Sequence, residues 1–240
     1  MQIRLALSNQ KGGVGKTTLT RELGLFLAHR GYDVLLADCD PQGNLSKSLK
    51  GRSVSPGVYE LLDGGKISAV PKIAPHLWLL TGDIRLASLE KQLLPEIDCY
   101  TRLSEALSEE LTGSFSFILF DTPPSLSALT VNALTAATHL VIPMAGSLYS
   151  LQGTNDLMKT VGKVRKSLNP ELVLVGAVLN AFDDRPVISR EIRDEIAESF
   201  GSYFFQARLS RSIRLEEAIA SGMSLLSTRS RESRKVREEL

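Results

Sequence analysis

The 240-residue chain has only two cysteines, Cys39 and Cys99. Two thiols cannot build a disulfide framework, and their spacing matches no zinc motif. The expected setting is therefore a reducing, cytoplasmic one. Long apolar runs are also missing: no stretch approaches the roughly 18 to 20 residues that a membrane-spanning helix requires. The opening residues MQIRLALSNQKGG lack the basic start and apolar core of a secretory leader, so none is expected. Charge of one sign is missing as well. The formal net charge of +1 means that any binding of nucleic acid has to come from a local basic patch.

What is present is ordinary for a globular protein, with 43% hydrophobic and 23% charged residues. Short apolar runs alternate with longer segments of helical period. Ile3–Ser8, Val34–Ala37, Leu77–Leu80, Phe115–Phe120, Leu140–Pro143, Leu172–Leu179 and Tyr203–Ala207 read as strands. Thr18–His29, Ile84–Leu94, Thr101–Leu111, Leu126–Ala137, Leu151–Leu168, Val187–Phe200, Ile213–Ala220 and Arg229–Leu240 read as helices. A short helix is expected around Val58–Leu62, within a stretch from 43 to 75 rich in Gly, Ser and Pro. Near-continuous apolar strands separated by helices predict an α/β fold. Its sheet is doubly wound and mostly parallel, with helices on both faces. No repeat or linker divides the chain, so residues 1–240 are expected to form one domain. Ligands of such sheets sit beyond the carboxyl ends of the strands.

Three clusters fall at those ends. The first, NQKGGVGKTT (residues 9–18), lies between a strand and a helix. Gly12, Gly13 and Gly15 let successive N–H groups converge on phosphate oxygens. Lys16 is placed for the β- and γ-phosphates, Thr17 for Mg²⁺ and Thr18 for the α-phosphate. With average residue usage, KGGxGK[ST] arises by chance in fewer than ~1 in 10,000 chains of this length. A merely structural glycine turn is the weaker explanation. The spelling departs from the common phosphate-loop pattern, with Gln10 at the first glycine position and a second lysine, Lys11, beside it.

The second cluster is LLADCDPQGN. Strand alternation puts Asp38 and Asp40 on one side, where one can hold metal-bound water and the other can orient an attacking water. The third is FSFILFDTPPS, an apolar strand ending in Asp121, which suits the Mg²⁺ shell of a Walker-B strand.

These segments, with LVIPM and SIRLEEAIASG further on, match in order and spacing the ParA/Soj-type partition ATPases. The chain therefore resembles the deviant-Walker-A class of P-loop NTPases, which includes MinD and the nitrogenase iron protein. The resemblance implies that Lys11 is the signature lysine reaching across an ATP-dependent homodimer to the partner's nucleotide. It implies catalytic roles for Lys11, Lys16 and Asp40, with Val14 among the nucleotide-loop residues and Asn180 on the adenine side. Thr17, Asp38 and Asp121 form the metal set, with ATP and Mg²⁺ as cofactors. It implies non-specific DNA binding, through Arg208, Arg211 and Arg214 in ARLSRSIR, and stimulation by a ParB-like partner. A second basic cluster lies at Arg229, Arg231, Arg234, Lys235 and Arg237. The implied location is the cytoplasm, on the nucleoid.

There are departures from the family pattern. Ser210 stands where a proline is common, and Ser227-Thr228 where an aspartate-proline pair is common. The first strand begins almost at Met1, so no N-terminal helix-turn-helix is expected. Three other readings compete. An electron carrier like the nitrogenase iron protein needs cysteines beyond the strand ends to bridge an iron–sulfur cluster. Here Cys39 lies on the strand's other side from Asp38 and Asp40, and Cys99 in a polar stretch between helices. A MinD-like membrane-cycling ATPase needs an apolar face in its tail, where RSRESRKVREEL offers only Val236 and Leu240. A ParA-like positioner of a protein assembly needs no different sequence.

Overall fold

The computed structural model describes residues 2–49, 55–65, 67–146, 150–182, 187–210 and 217–219. In chain order the elements are β1 (Ile3–Leu7), α1 (Lys16–His29), β2 (Val34–Asp38), α2 (Asn44–Ser48), α3 (Val58–Leu62), β3 (Lys72–Ala74) and β4 (Leu77–Leu80). There follow α4 (Arg85–Leu93), α5 (Arg102–Ala106), α6 (Glu109–Thr112), β5 (Phe117–Asp121), α7 (Ala128–Ala136) and β6 (His139–Ala145). The last are α8 (Ser150–Ser167), β7 (Val173–Phe182), α9 (Val187–Phe200) and β8 (Phe204–Ser210).

The described strands form a single sheet in the order β3-β4-β2-β5-β1-β6-β7-β8. Every neighbouring pair is parallel except β3 with β4. This is the doubly wound α/β sheet expected from the alternation of apolar strands and helices. Its two faces are legible in β2, all five residues of which are buried. Leu35 and Ala37 join one apolar cluster with Val58, Leu89, Leu103, Leu129, Leu157 and Ile192. Val34 and Leu36 join another, with Leu19 and Ala28 of α1 and Leu45 of α2. The two-residue period of a strand thus feeds two helical layers. Strand β1 lies between β5 and β6, where the winding reverses, and the loop that follows it opens at that crevice.

The structure departs from the sequence reading in three places. The expected helix Thr101–Leu111 is broken into α5 and α6. At the break Leu107 adopts ψ +56°, and its carbonyl accepts from the Arg4 guanidinium at 3.1 Å. Strand β3 emerges inside the Gly/Ser/Pro-rich stretch as an antiparallel edge to β4, joined by a turn in which His76 has φ +58°. Helix α2, NLSKS, has one apolar residue, Leu45, and so gives no periodic signal. Of the expected helix 213–220 only 217–219 are described, and they are helical; the expected helix 229–240 lies outside the described residues.

Candidate nucleotide site

The loop between β1 and α1 is built around Asn9. This side chain is 1% exposed; its Nδ2 donates to the Pro143 carbonyl at 2.8 Å and its Oδ1 accepts from the Lys11 amide at 3.0 Å. The loop is thereby pinned to β6. Gly13 and Gly15 hold φ +74° and +82°, the left-handed region that favours glycine. Val14 between them is buried, and its carbonyl accepts from Asn180 Nδ2 at 3.0 Å. Helix α1 starts without a side-chain cap and with no acid in its first turn. Its first amides are not taken by a side-chain cap, and the helix dipole points at the same place.

Lys16 is 6% exposed, and its ammonium donates to the carbonyls of Asn9 at 2.9 Å and Lys11 at 3.2 Å. Burial pushes its pKa down, while the charges of Asp121 and Asp40 push it up. A cleft of about 620 Å³ opens here, with Gly12, Gly13, Thr17, Thr18, Asp40 and Pro124 among its walls.

The acidic residues meet through strand register. Strands β2 and β5 are adjacent and parallel, and Asp38 pairs with Asp121. Asp38 Oδ2 accepts from both the amide and the hydroxyl of Ser46, at 2.9 and 2.7 Å, and its Oδ1 receives the Asp40 amide at 3.3 Å. Asp40 is 7% exposed and accepts from the Gln42 amide at 2.9 Å. Asp121 is different: it is fully buried, and neither oxygen has a hydrogen-bond partner of good geometry.

Burial drives the Asp121 carboxyl well above the usual carboxylate range, and the charge of Asp38 adds to this. The Thr17 hydroxyl and the Lys16 ammonium act in the opposite direction. Burial also pushes Asp38 up to about 6, against the hydrogen bonds from Ser46. Two orphaned carboxylate oxygens beside a hydroxyl, below a phosphate loop, suit a hard divalent cation such as Mg²⁺.

This arrangement predicts an inverted pH dependence for the ligand-free protein. The folded state binds a proton at Asp38 and Asp121 more tightly than the unfolded chain does. Their contribution to stability is therefore lost as pH rises from the unfolded carboxylate range, near 4, through about 6 and above. Without Mg²⁺, Tm is expected to be higher at pH 5.5 than at pH 8, with saturating Mg·ADP narrowing the difference. Thermal scans in a chelating buffer test this. A Tm that falls on acidification over that window refutes it.

The described residues thus bring Lys11, Gly12, Gly13, Val14, Gly15, Lys16, Thr17, Thr18, Asp38, Asp40, Asp121 and Asn180 to one end of the sheet. Asn180 stands against the phosphate loop itself. Arg208 lies on β8, its backbone in register with Leu179 of β7. Arg211, Arg214 and the 229–237 cluster lie outside the described residues. Sequence reasoning missed Asn9, Ser46 and the cleft-lining Arg21, Asn44 and Lys47. Asn and Ser are common loop residues, and their partners lie far along the chain.

A parallel sheet with a glycine loop running into a helix at its crevice, and acids on the two neighbouring strand ends, defines a P-loop nucleoside triphosphatase. Residues 2–174 match the family described as an AAA domain. The chain is 39% identical over 224 residues to the chromosome-partitioning ATPase Soj of Thermus thermophilus, covering 92% of this chain and 86% of the relative. It is 37% identical over 227 residues to the sporulation initiation inhibitor protein Soj of Bacillus subtilis, covering 92% and 89%. Among solved structures it resembles cobyrinic acid a,c-diamide synthase of Mycobacterium smegmatis with bound ATP analogue and magnesium. There the TM-score is 0.86 at 31% identity, over 99% of this chain and 92% of the other. The chain belongs to the ParA/Soj-type family of partition ATPases.

Proposed function

We propose that residues 1–240 act as one ATPase domain that binds Mg·ATP and dimerises around it. In that state it holds DNA without sequence preference and positions chromosomal, plasmid or other cargo over the nucleoid. The observation that carries this reading is the meeting of a two-lysine phosphate loop with the Asp38–Asp121 pair at adjacent strand ends. ATP and Mg²⁺ are the cofactors that suit the loop and the orphaned carboxylate.

Lys16 transfers its ammonium from the loop carbonyls to the β- and γ-phosphates. The Thr17 hydroxyl and Asp121 hold Mg²⁺, with Asp38 beside them; the cation supplies charge neutralisation at the phosphates. Asp40, on the cleft wall, orients the attacking water. Lys11 reaches the nucleotide of a second copy. Asn180 braces the loop from the adenine side. Hydrolysis by the isolated protein is slow, and a ParB-like activator accelerates it. Arg208, Arg211 and Arg214 contact DNA phosphates, which makes binding steeply salt-dependent. Among the described residues no helix is long and apolar enough to cross a membrane, and the reading includes no membrane step.

A DNA mobility assay with ADP, ATP and a non-hydrolysable analogue tests this. Retention is expected only with ATP or the analogue. Asp40→Ala is expected to elute as a dimer with ATP and to stay on DNA. Arg214→Glu is expected to lose DNA while still dimerising. A variant Asp40→Ala that remains monomeric with ATP removes Asp40 from the hydrolysis step, and DNA retention that ignores the nucleotide overturns the cycle.

A further inference from the structure

Asp38, fully buried at the end of β2, is tied to more than its own strand. Its Oδ2 is held by the amide and hydroxyl of Ser46, and the same hydroxyl oxygen accepts the Gly82 amide at 3.0 Å. Ser46 is 3% exposed, so water does not compete for these bonds. Gly82 follows β4 and comes close to the acidic strand end. A Cβ placed there falls 2.4 Å from the Asp38 carbonyl oxygen and 2.8 Å from that of Asp40. No side chain fits between the two segments.

Beyond Gly82 the loop is fastened on both sides. The Thr81 carbonyl accepts from the Val58 amide at 2.9 Å, at the start of α3. The Asp83 carboxylate takes the Arg85 guanidinium at 2.6 Å, and Arg85 reaches on to Glu60 of α3 at 2.9 Å. Residues 81–85 line an outer groove of about 490 Å³ together with Pro41, Gln42, Gly43, Ser46 and Lys47, none of which but Lys47 also lines the nucleotide cleft.

The geometry points to Ser46 as a positioning residue that links the acidic strand end to the Thr81–Arg85 loop through one hydroxyl. The inference rests on the ATPase reading for its biological sense. What occupies the cleft and moves Asp38 or Asp40 therefore changes the donor–acceptor pairing of Ser46, and through Gly82 the shape of the outer groove. A shift of Asp38 toward a cation draws the hydroxyl with it and weakens the bond from the Gly82 amide.

The test follows the Gly82 amide by hydrogen exchange in the full chain, with Tm measured alongside. In the nucleotide-free protein Ser46→Ala is expected to speed exchange at Gly82 by about tenfold, with Ser46→Thr close to wild type. Wild-type exchange at Gly82 is expected to differ between the free protein and the protein with Mg²⁺ and a non-hydrolysable ATP analogue. In turnover, Ser46→Ala is expected to lower kcat about tenfold with KM for ATP within about twofold, and Ser46→Thr to restore it.

Unchanged Gly82 exchange in Ser46→Ala, or identical exchange in wild type with and without the analogue, overturns the proposal. So does a Ser46→Thr variant as slow as Ser46→Ala. If Ser46→Ala does not fold, the wild-type comparison decides. A wild-type protein without ATPase activity would sink the functional reading but leave the exchange result in free Ser46→Ala to stand or fall by itself.

Discussion

Gly15→Ala is expected to weaken Mg·ATP binding by at least ~100-fold, and titration calorimetry with a non-hydrolysable analogue measures it. Two effects combine. Gly15 has φ +82°, where an L-residue loses roughly 1–2 kcal/mol to steric clash. The second effect is positional. The added Cβ falls 1.5 Å from Nδ2 and 2.8 Å from Cγ of Asn180, so this side chain cannot keep its rotamer. Asn180 has to leave, the Val14 carbonyl loses its donor, and the loop amides no longer converge. Truncation separates the two effects. In Gly15→Ala/Asn180→Ala the steric clash disappears while the backbone strain remains, so part of the affinity is expected to return. Wild-type affinity in Gly15→Ala refutes the packing argument. A double variant no better than the single one assigns the loss to the backbone strain together with the lost Asn180–Val14 bond, and not to the clash.

Asp121→Asn is expected to act in two opposite directions. The carboxylate is fully buried and lacks a well-formed hydrogen-bond partner, so in the ligand-free protein its charge is a source of instability. Replacing it by a neutral side chain of the same shape removes that source. At pH 8 the ligand-free variant is expected to melt a few degrees above wild type, on the usual scale of 2–4 °C per kcal/mol for a chain of this size. The same change removes an anionic ligand for Mg²⁺, and kcat is expected to fall by at least ~100-fold. Stability gained together with activity lost marks a site built for a cation rather than for the fold. A variant that melts lower and still hydrolyses ATP places the metal shell elsewhere.

Most of this arrangement is legible in the sequence because the signals are local. Apolar strands announce themselves by composition, and strand ends by the glycine or aspartate that follows. In this way the sequence singles out the phosphate loop, Asp38, Asp40 and Asp121 as candidates. What escaped depends on contacts between distant segments. Asn9 acts through Pro143, 134 residues away, and Asn180, named by resemblance alone, meets Val14 across 166 residues. Ser46 acts through Gly82, 36 residues on. No pattern within a window of residues encodes these meetings; the order of strands in the sheet produces them. The break between α5 and α6 has the same origin, since the Arg4 guanidinium that takes the Leu107 carbonyl comes from β1. The edge strand β3 is missed because three residues carry no period, and helix α2 because NLSKS offers a single apolar residue, Leu45.

The position of the Lys16 ammonium bears on how ATP enters. It is already coordinated, by the carbonyls of Asn9 and Lys11. The loop is thus folded around its own cation, with two peptide oxygens facing the ammonium. ATP arrival is then a ligand substitution at a single charge, in which phosphate oxygens displace peptide oxygens. On the dimer reading proposed above, the departing oxygen of Lys11 belongs to the residue whose side chain would serve the neighbouring copy. On that reading, filling a site with its own nucleotide frees the carbonyl of the residue that reaches toward the other copy.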